Sequence, residues 1–562
     1  MENEEKAQNR DESGARSGMG VDKENVTRRM TIRTRSQPPR DCGDAVNRRL
    51  LLFAATATLL AVLFALVRRR PLLALGAPLI GYAPWWLRLC GRHANPLYSL
   101  AAGFKTLRRT VYGGKDSELR RCGAESAQAK RMRTPRKVLN VNAGRDGRRI
   151  PREAKPDTTI ALIADPYRYI GRRCRQYGTD LFETRLFLRR TICMTGSHAA
   201  EVFYDRDRFT RVGAAPLRLQ LTLFGRGGVQ GLDGEAHRRR KQMFLELMNP
   251  ESIARLVKMT HREWQAAADR WSRMNKIVLY QESQQVIARA VCNWAGVPVD
   301  ESEVEERTQW LSALFDAAGS IGPRYLWAIL ARRRCDRWIE RLVKQHRAGY
   351  REFPVDSPAR RITEHRDLEG MPLEPHVAAV EILNLLRPIV AAAVYIVFCA
   401  HALHAHRDMQ IRLADGDEEF LNLFVEEVRR YYPFFPAVIA KVRRSFEWRG
   451  YLFPEGRRVI LDLYGTNHDS RNWRNPDRFN PNRFADNTPT PFNLIPQGGG
   501  SHHLNHRCAG EWITIDLMKD AVRFLTREVR YEVPRQDLRI NYARLPALPR
   551  SHIRFTNVAL IG

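Results

Sequence analysis

The spacing of apolar and polar positions changes near residue 150. From there to residue 562, apolar residues recur at helical spacing in many segments, and these alternate with short β-like stretches. No internal repeat or low-complexity run interrupts the pattern. The pattern predicts one compact domain over residues 150–562 that is mainly α-helical with small β-sheets and large enough to enclose a cofactor.

The first 149 residues have a different pattern. Residues 1–49 are polar and basic without sustained periodicity, which predicts disorder. Residues 50–67 are 18 consecutive uncharged residues, long enough for a transmembrane or signal-anchor helix, and residues 68–149 form a basic linker. We interpret 50–67 as a single membrane anchor, the rest being cytoplasmic; a cleaved targeting peptide and a misplaced start codon are the alternatives. Basic residues on both flanks leave the orientation open.

A second apolar stretch, residues 377–403, contains the polar residues Glu381, Asn384, Arg387 and Pro388. Ionised side chains are costly at bilayer depth, so a buried helix through the domain core is the better interpretation. The four polar residues share one helical face because they are spaced by three, four and seven positions. We expect a ligand to lie against this face.

Charge and cysteine usage limit the possible functions. The net charge is +31, of which residues 1–150 carry +17, yet no nucleic-acid-binding motif is present. An anionic membrane surface or a solvated basic surface is therefore expected, and no nucleic acid. The nine cysteines are odd in number and scattered, which indicates reduced thiols rather than a disulfide scaffold.

A glycine-rich loop within residues 491–512 carries the most informative cysteine. Cys508 follows His506 and Arg507 and precedes an apparent helix, and both positive charge and a helix N-terminus stabilise a thiolate. Such a thiolate suits a metal. For the other eight cysteines we expect small buried hydrophobic residues. Zinc bound by Cys508 with the nearby histidines is a weaker alternative, because no second ligand cluster follows at zinc-site spacing.

Two further motifs precede this loop. Glu427 and Arg430 are three positions apart and so are neighbours on one helical face, able to form an ion pair. The segment Pro481-Asn482-Arg483-Phe484 then supplies Arg483, which could complete a charge network with them.

In this order, the three motifs resemble the cytochrome P-450 superfamily. That resemblance implies a haem-thiolate fold in which Cys508 ligates the iron of haem b, and Glu427, Arg430 and Arg483 are structural. The longer cysteine loop, IPQGGG…HRCAGEW, and segments such as RLFLRRTICMTG (185–196) and GGVQGLDGEAHRRRKQMF (227–244) are more similar to the fatty-acid peroxygenases. This group contains α- and β-hydroxylases and an alkene-forming decarboxylase. The resemblance covers residues 150–562.

The pair Arg387-Pro388 matches the peroxygenases, whereas ordinary P-450 monooxygenases have an acid–alcohol pair there. Arg387 would hold a long-chain fatty-acid carboxylate, which takes a proton from hydrogen peroxide and returns it to the departing oxygen. Pro388 lacks an N–H for the carbonyl of Asn384, so we expect a local kink in one long helix. No reductase would be required. A structural pair of Arg387 with Glu381 is the weaker alternative, because the two lie on poorly matched faces.

Other site residues are implied by the same resemblance. His237, Lys241 and Arg507 match positions that bind the haem propionates. Gln230 stands where a histidine accompanies decarboxylation in the family, so it favours hydroxylation.

Two aromatic residues, Phe224 and Phe434, resemble side chains that contact the acyl chain. The loop departs from the family pattern at Ser501 and Asn505, and we expect Asn505 to be tolerated because asparagine adopts positive φ readily.

Three other functions remain open at this point. The chain could be a membrane-bound P-450 monooxygenase that depends on a reductase, as the anchor-like segment 50–67 suggests. It could be a fatty-acid decarboxylase of the same family. It could also be a haem- or lipid-binding protein without turnover.

Overall fold

The computed structural model describes residues 149–561. The predicted disordered segment 1–49, the anchor at 50–67 and nearly all of the linker 68–149 lie outside the described residues. Within them the chain is rich in helices with small β-sheets, as predicted.

The helices are α1 Thr159–Ala164, α2 Tyr169–Tyr177, α3 Ser197–Phe203, α4 Leu217–Leu219, α5 Gly234–Leu247, α6 Pro250–Trp271, α7 Leu279–Ala295, α8 Val304–Asp316, α9 Pro323–Arg347, α10 Pro358–Glu364, α11 Pro375–Val390, α12 Ala393–Ala405, α13 Arg407–Ala414, α14 Glu418–Tyr431, α15 Leu463–Asn467 and α16 Glu511–Arg523. Single turns of π-helix (Gln220–Phe224, Phe524–Glu528) and of 3-10 helix (Val229–Gly231, Glu301–Glu303, Pro481–Phe484) extend or connect them.

Within residues 149–561, ten short strands form three sheets. The strands are β1 Leu181–Leu186, β2 Arg189–Met194, β3 Phe209–Thr210, β4 Ile277–Val278, β5 Ala437–Val442, β6 Phe446–Trp448, β7 Tyr451–Phe453, β8 Arg458–Asp462, β9 Val529–Glu532 and β10 Arg554–Leu560. The largest sheet has the order β1-β2-β8-β5-β3, and only its β2–β8 pair is parallel. The order β4-β10-β9 forms a second sheet, and β6 and β7 form a hairpin.

The central apolar stretch forms two helices, α11 and α12, instead of the single long helix that we predicted. Pro375 at the first position fixes φ for the start of α11. The interruption follows Pro388 by two residues: Ala392 N–H donates to the carbonyl of Ile389 (3.0 Å), a tighter turn than the α-helical one. The missing N–H of Pro388 weakens the ladder just before this point.

The stretch is buried within the domain, as the sequence predicted. The segment Pro375–Ala405 is long and apolar enough to cross a membrane, but 94% of its most apolar 18-residue stretch is buried inside the protein. Helices α7, α8, α9, α10, α14 and α16 pack against α11 and α12 and share one hydrophobic core with them. A polar group on α11 therefore lies in the protein interior and needs a partner there.

Asp462 ends β8 and caps α15 by accepting a hydrogen bond from Gly465 N–H (2.7 Å). Burial, opposed by this bond, raises its pKa from 3.8 to about 7. The folded protein therefore binds a proton that the unfolded chain releases, and stability is lost as the pH rises from about 4 to about 7. We expect Asp462→Asn to raise the free energy of unfolding by about 1–3 kcal/mol more at pH 8 than at pH 5. Urea denaturation at the two pH values measures the difference, and an equal effect at both would contradict this assignment.

Candidate functional site

The glycine-rich loop before α16 is tightly wound around its own backbone. Gly498 and Gly500 have φ of 95° and 78°, a region that favours glycine, and the N–H of Cys508 donates to the carbonyl of Gln497 (3.1 Å). The Asn505 side chain fastens the loop by accepting from Ser501 N–H (2.9 Å) and donating to the carbonyl of Tyr204 (2.7 Å). Asn505 does not adopt a positive φ, so the hydrogen bonds of its amide group, and not its backbone conformation, explain its place in the loop.

Cys508 differs from the other described cysteines. Cys174, Cys193, Cys292, Cys335 and Cys399 are buried, as expected of hydrophobic residues, whereas Cys508 is partly exposed. Burial of its sulfur, together with Glu511, raises the pKa of the thiol, although Lys241 and Arg429 oppose the shift. Lys241, Arg429 and the backbone of Gly510 at the helix start favour the thiolate, as expected, whereas desolvation favours the neutral thiol. A metal cation bound to the Cys508 sulfur would stabilise the thiolate and so offset the cost of its desolvation.

The histidines near Cys508 are engaged with other groups. His502 lies 2.9 Å from a Glu511 oxygen and stacks on Trp512, and His506 stacks on His237 with ring centroids 3.9 Å apart. In residues 149–561 no group of three histidine, cysteine or acidic side chains could hold a metal ion. The zinc alternative is therefore wrong, and the chemistry of the site is that of one thiolate.

A buried ion network that the sequence did not reveal supports this loop. Glu511, at the start of α16, pairs with Arg429 of α14 and with Arg507 (2.6 Å). Although burial opposes the shift, these arginines and His502 hold the pKa of Glu511 below its usual range. Arg429 stands beside the Glu427/Arg430 motif, but only the tertiary structure brings Glu511 to it.

The three residues expected at the haem propionates, His237, Lys241 and Arg507, all lie around this loop. The Nζ group of Lys241 donates to the carbonyls of Asn505 and Arg507, both at 2.6 Å. Burial lowers the pKa of Lys241 to about 8 and that of His237 to about 3. α5 thus presents His237 and Lys241, one turn apart, to the segment that carries Cys508.

Glu427 and Arg430 form a fully buried ion pair in which Arg430 Nε lies 2.7 Å from Glu427 Oε2. Arg430 also donates to the carbonyls of Asn467 and Pro476, both at 2.9 Å. Arg483 Nε lies 3.1 Å from the same Glu427 oxygen. The three residues from separate motifs therefore meet, and they tie α14 to the segment that leads to the cysteine loop.

The polar face of α11 forms a connected set of side chains, which we call the α11 network: Arg240, Glu381, Asn384, Gln230 and Arg387. Arg240 Nη1 donates to Glu381 Oε1 (2.6 Å). The Asn384 amide donates to Glu381 Oε2 (2.9 Å) and to Gln230 Oε1 (3.3 Å), and its oxygen accepts from Arg387 Nη2 (3.2 Å). The predicted polar stripe is therefore a hydrogen-bonded chain that ends on Arg387.

Arg387 differs from the other buried arginines nearby in its lack of an acidic partner. Arg240 pairs with Glu381, and Arg332 pairs with Asp336 at 2.8 Å. Arg387 is 6% exposed, has no acidic group within ion-pair distance in residues 149–561, and its buried Nε has no hydrogen-bond partner there. The alternative of an Arg387–Glu381 pair is wrong because Arg240 holds Glu381.

The environment of Arg387 is suited to an anion. Burial and the nearby Arg332 lower its pKa to about 9, while Cys508 opposes the shift, which places Arg387 and Cys508 within electrostatic reach of each other. An unpaired buried cation is costly, and a bound anion removes that cost. The site can therefore bind a carboxylate at Arg387 near the sulfur of Cys508.

The two predicted pocket aromatics occupy different surroundings. Phe434 is buried and lies against the ring of Tyr395, with centroids 4.3 Å apart. Phe224 is partly buried and ends the π-turn Gln220–Phe224; the following Gly225 lies against the guanidinium of Arg332. Phe224 is therefore near the arginine-rich side of α11, and Phe434 near α12.

Comparison with known proteins identifies the relatives of this chain. The sequence model of the cytochrome P450 family matches residues 406–543. The structure of cytochrome P450SP alpha (CYP152B1) in complex with (R)-ibuprophen is 51% identical, with a TM-score of 0.71, covering 73% of this chain and all of that one. Cytochrome P450EX alpha (CYP152N1) with myristic acid is 44% identical, with the same TM-score, over 74% of this chain and 100% of that chain. Ligand-free cytochrome P450 OleT is 30% identical, also at 0.71, over 74% and 99%.

Proposed function

Since this chain belongs to the CYP152 family of cytochromes P450, the fatty-acid peroxygenases and decarboxylases, we propose that it uses hydrogen peroxide to hydroxylate long-chain fatty acids at the α or β carbon. Members of the P450 superfamily are oxidoreductases that hold haem iron through a cysteine thiolate. The oxidant, the position of attack and the roles of individual residues are the parts that we propose.

The observation that carries the proposal is the buried guanidinium of Arg387, which has no acidic partner in residues 149–561 and whose pKa is influenced by Cys508. A guanidinium binds a carboxylate through two parallel hydrogen bonds. Relatives were solved with myristic acid and with (R)-ibuprophen, both carboxylic acids. A fatty acid bound at Arg387 would present its first carbons to the metal side of the site.

The residues near Cys508 fit a haem group. The Cys508 thiolate would hold the haem iron, and His237, Lys241 and Arg507 would bind the propionates. Lys241 and Arg507 would then have to share or exchange their present partners, the loop carbonyls and Glu511. When bound, haem b supplies the activation of peroxide and the transfer of one oxygen atom to a C–H bond.

The protein side chains would then position the substrate and move protons. Arg387 holds the substrate carboxylate, and Asn384 fixes the orientation of Arg387. Pro388, the next residue, has no N–H to donate within the helix. The held carboxylate accepts one proton of hydrogen peroxide and returns it to the departing oxygen, which leaves as water. The net reaction, R–H + H₂O₂ → R–OH + H₂O, balances without a reductase. Because Arg387 holds the carboxylate end of the fatty acid, the α and β carbons are the carbons of the chain closest to the reacting oxygen.

The decisive experiment compares two oxidant systems on the purified holoenzyme with myristic acid. We expect hydroxymyristic acid with hydrogen peroxide alone, and no product with dioxygen, NADPH and a reductase. Product only in the reductase system would indicate a monooxygenase instead. No peroxide consumption with bound fatty acid would indicate a haem or lipid binder without turnover.

Decarboxylation is the second candidate reaction, because the similar OleT structure comes from the same family. The Gln230 amide oxygen accepts from Asn384, which itself contacts Arg387. We expect Gln230→His to raise the share of terminal alkene severalfold, because an imidazole places a titratable group beside the bound carboxylate. Gas chromatography of the products measures the share, and Gln230→Leu is the matched control. An unchanged product ratio in Gln230→His would remove Gln230 from control of the reaction.

A further inference from the structure

Arg240 and Glu381 form a buried ion pair one side chain away from the proposed carboxylate site. Glu381 is 0% exposed and Arg240 is 8% exposed. One Glu381 oxygen is held by Arg240 at 2.6 Å, and the other accepts from Asn384, whose oxygen in turn accepts from Arg387. Glu381 therefore lies in the same hydrogen-bonded chain as Arg387. Its ion-pair partner is Arg240, at the opposite end of that chain from Arg387.

We propose that Arg240 is a positioning residue that keeps the Glu381 carboxylate from neutralising Arg387 and so leaves Arg387 free for the substrate carboxylate. The inference rests on the proposed function of Arg387. Near Arg387, Glu381 is paired with Arg240 and Asp336 is paired with Arg332, so Arg387 has no acid of its own in residues 149–561. Without Arg240, the buried Glu381 would have Arg387 as its nearest cation through Asn384.

The internal acid would then compete with the substrate. Because the Glu381 carboxylate is part of the protein, its effective concentration at Arg387 is high. It is also buried, so water cannot solvate its charge in place of a cation. Asn384 would be drawn with Glu381, which removes the contact that orients Arg387. Substrate affinity would fall for acids and would remain for ligands that do not need Arg387.

Equilibrium titration of the holoenzyme without peroxide, followed by the haem absorbance, tests this. We expect Arg240→Met to weaken binding of myristic acid about tenfold or more, and the double variant Arg240→Met/Glu381→Gln to recover to within about threefold of the original protein. Arg240→Lys, which keeps the charge, should bind normally. Tetradecanol should bind all variants alike, since it lacks a carboxylate.

The outcomes separate this inference from the proposed function. If the unaltered protein binds myristic acid no better than tetradecanol, carboxylate recognition by Arg387 fails. If the unaltered protein prefers myristic acid to tetradecanol and Arg240→Met shows the same preference, only the proposed role of Arg240 fails. The same conclusion follows if the double variant binds myristic acid as weakly as Arg240→Met does. Equal weakening for acid and alcohol would indicate a purely structural role and would also overturn it. Should Arg240→Met not fold, Arg240→Lys and the double variant still decide.

A separate observation concerns the surface around the β1–β2 turn. The turn residues Phe187 and Leu188 have φ of 52° and 61°, a conformation that glycine or asparagine normally provides, and they are 49% and 78% exposed. Arg218 connects this turn to the start of α9, because its guanidinium lies over the rings of Phe187 (5.6 Å) and Tyr325 (4.8 Å). The exposed apolar residues of this surface, the hairpin patch, are Ile160, Phe187, Leu188, Leu217, Ile321 and Leu326.

The hairpin patch is bordered by several arginines and by one acid, Asp157, which accepts a hydrogen bond from the N–H of Leu188 (2.6 Å). Arg185, Arg189 and Arg190 are exposed on the two strands, and Arg185 stands directly opposite Arg190, an unfavourable like-charge pair. We infer that the hairpin patch binds the surface of an anionic lipid bilayer. Such a surface receives the apolar tip and neutralises the arginines. The apolar segment 50–67 lies only a linker away along the chain.

Vesicle sedimentation of the domain 149–562, which lacks the anchor-like segment 50–67 and has the length of the solved relatives, tests this second inference. With vesicles of phosphatidylcholine and phosphatidylglycerol, we expect Leu188→Asp to lower partitioning about tenfold. Leu452→Asp, at a similarly exposed leucine in the β6–β7 hairpin, should leave it unchanged. Equal effects of the two variants, or no effect of Leu188→Asp, would overturn the inference. A change from dimer to monomer in light scattering, with partitioning unaffected, would show that a second copy of the chain covers the patch instead.

Discussion

Replacing Arg387 by alanine is expected to lower peroxide-driven turnover of myristic acid about a hundredfold or more. Removing one partner of a buried, hydrogen-bonded charge pair costs about 2–5 kcal/mol, and each 1.4 kcal/mol is a factor of ten. Arg387 is 6% exposed and has no acidic partner in residues 149–561, so the substrate carboxylate would be its counter-ion. The measurement is product formation under saturating peroxide, with KM and kcat determined separately.

The control variants distinguish charge from geometry. Arg387→Lys keeps the charge but loses the planar fork, so we expect an intermediate loss. Arg333→Ala removes an exposed arginine from α9, and we expect the original activity. Turnover by Arg387→Ala equal to that of the original protein would exclude the proposed mechanism.

Replacing Glu427 by glutamine is expected to have the largest effect on stability. Glu427 and Arg430 are both fully buried, and Arg430 Nε lies 2.7 Å from Glu427 Oε2. Arg483 Nε lies 3.1 Å from the same oxygen. Loss of the carboxylate would leave two arginines without their counter-charge, at a cost of about 3–5 kcal/mol. Denaturant unfolding followed by tryptophan fluorescence measures the free energy, and we expect a lower yield of haem-loaded protein.

The matched control lies on the same helix. Glu419 is exposed on α14, so Glu419→Gln should change the free energy of unfolding by less than about 0.5 kcal/mol. A Glu427→Gln protein as stable as Glu419→Gln would show that the buried acid is not required to hold α14 against the segment before the cysteine loop.

Motif residues with short-range geometry could be predicted from the sequence. The three-residue spacing of Glu427 and Arg430 places both on one helical face in any helix, and the structure pairs them. The stripe Glu381, Asn384 and Arg387 follows from the same period. The kink was predicted at the right proline, but the actual interruption depends on how the turn after Pro388 packs, so one helix became two.

Partners that lie far apart along the chain could not be predicted in this way. Arg240 and Glu381, or Arg429 and Glu511, come from different helices, and no periodicity within either helix indicates the other. The pKa of the Cys508 thiol could not be predicted from the sequence for the same reason. Neighbouring charges are visible in the sequence, whereas the depth of burial that outweighs them is a property of the packed domain.

The sequence by itself determined the fold class, the cysteine-loop motif and the polar stripe of the central helix, because local spacing fixes which residues share a loop or a face. Only the tertiary structure decided that Glu381 is neutralised by Arg240 and that Arg387 remains a buried cation without an acid in the described domain. The physical reason is that charge compensation depends on distance and burial in three dimensions, which residue spacing does not encode.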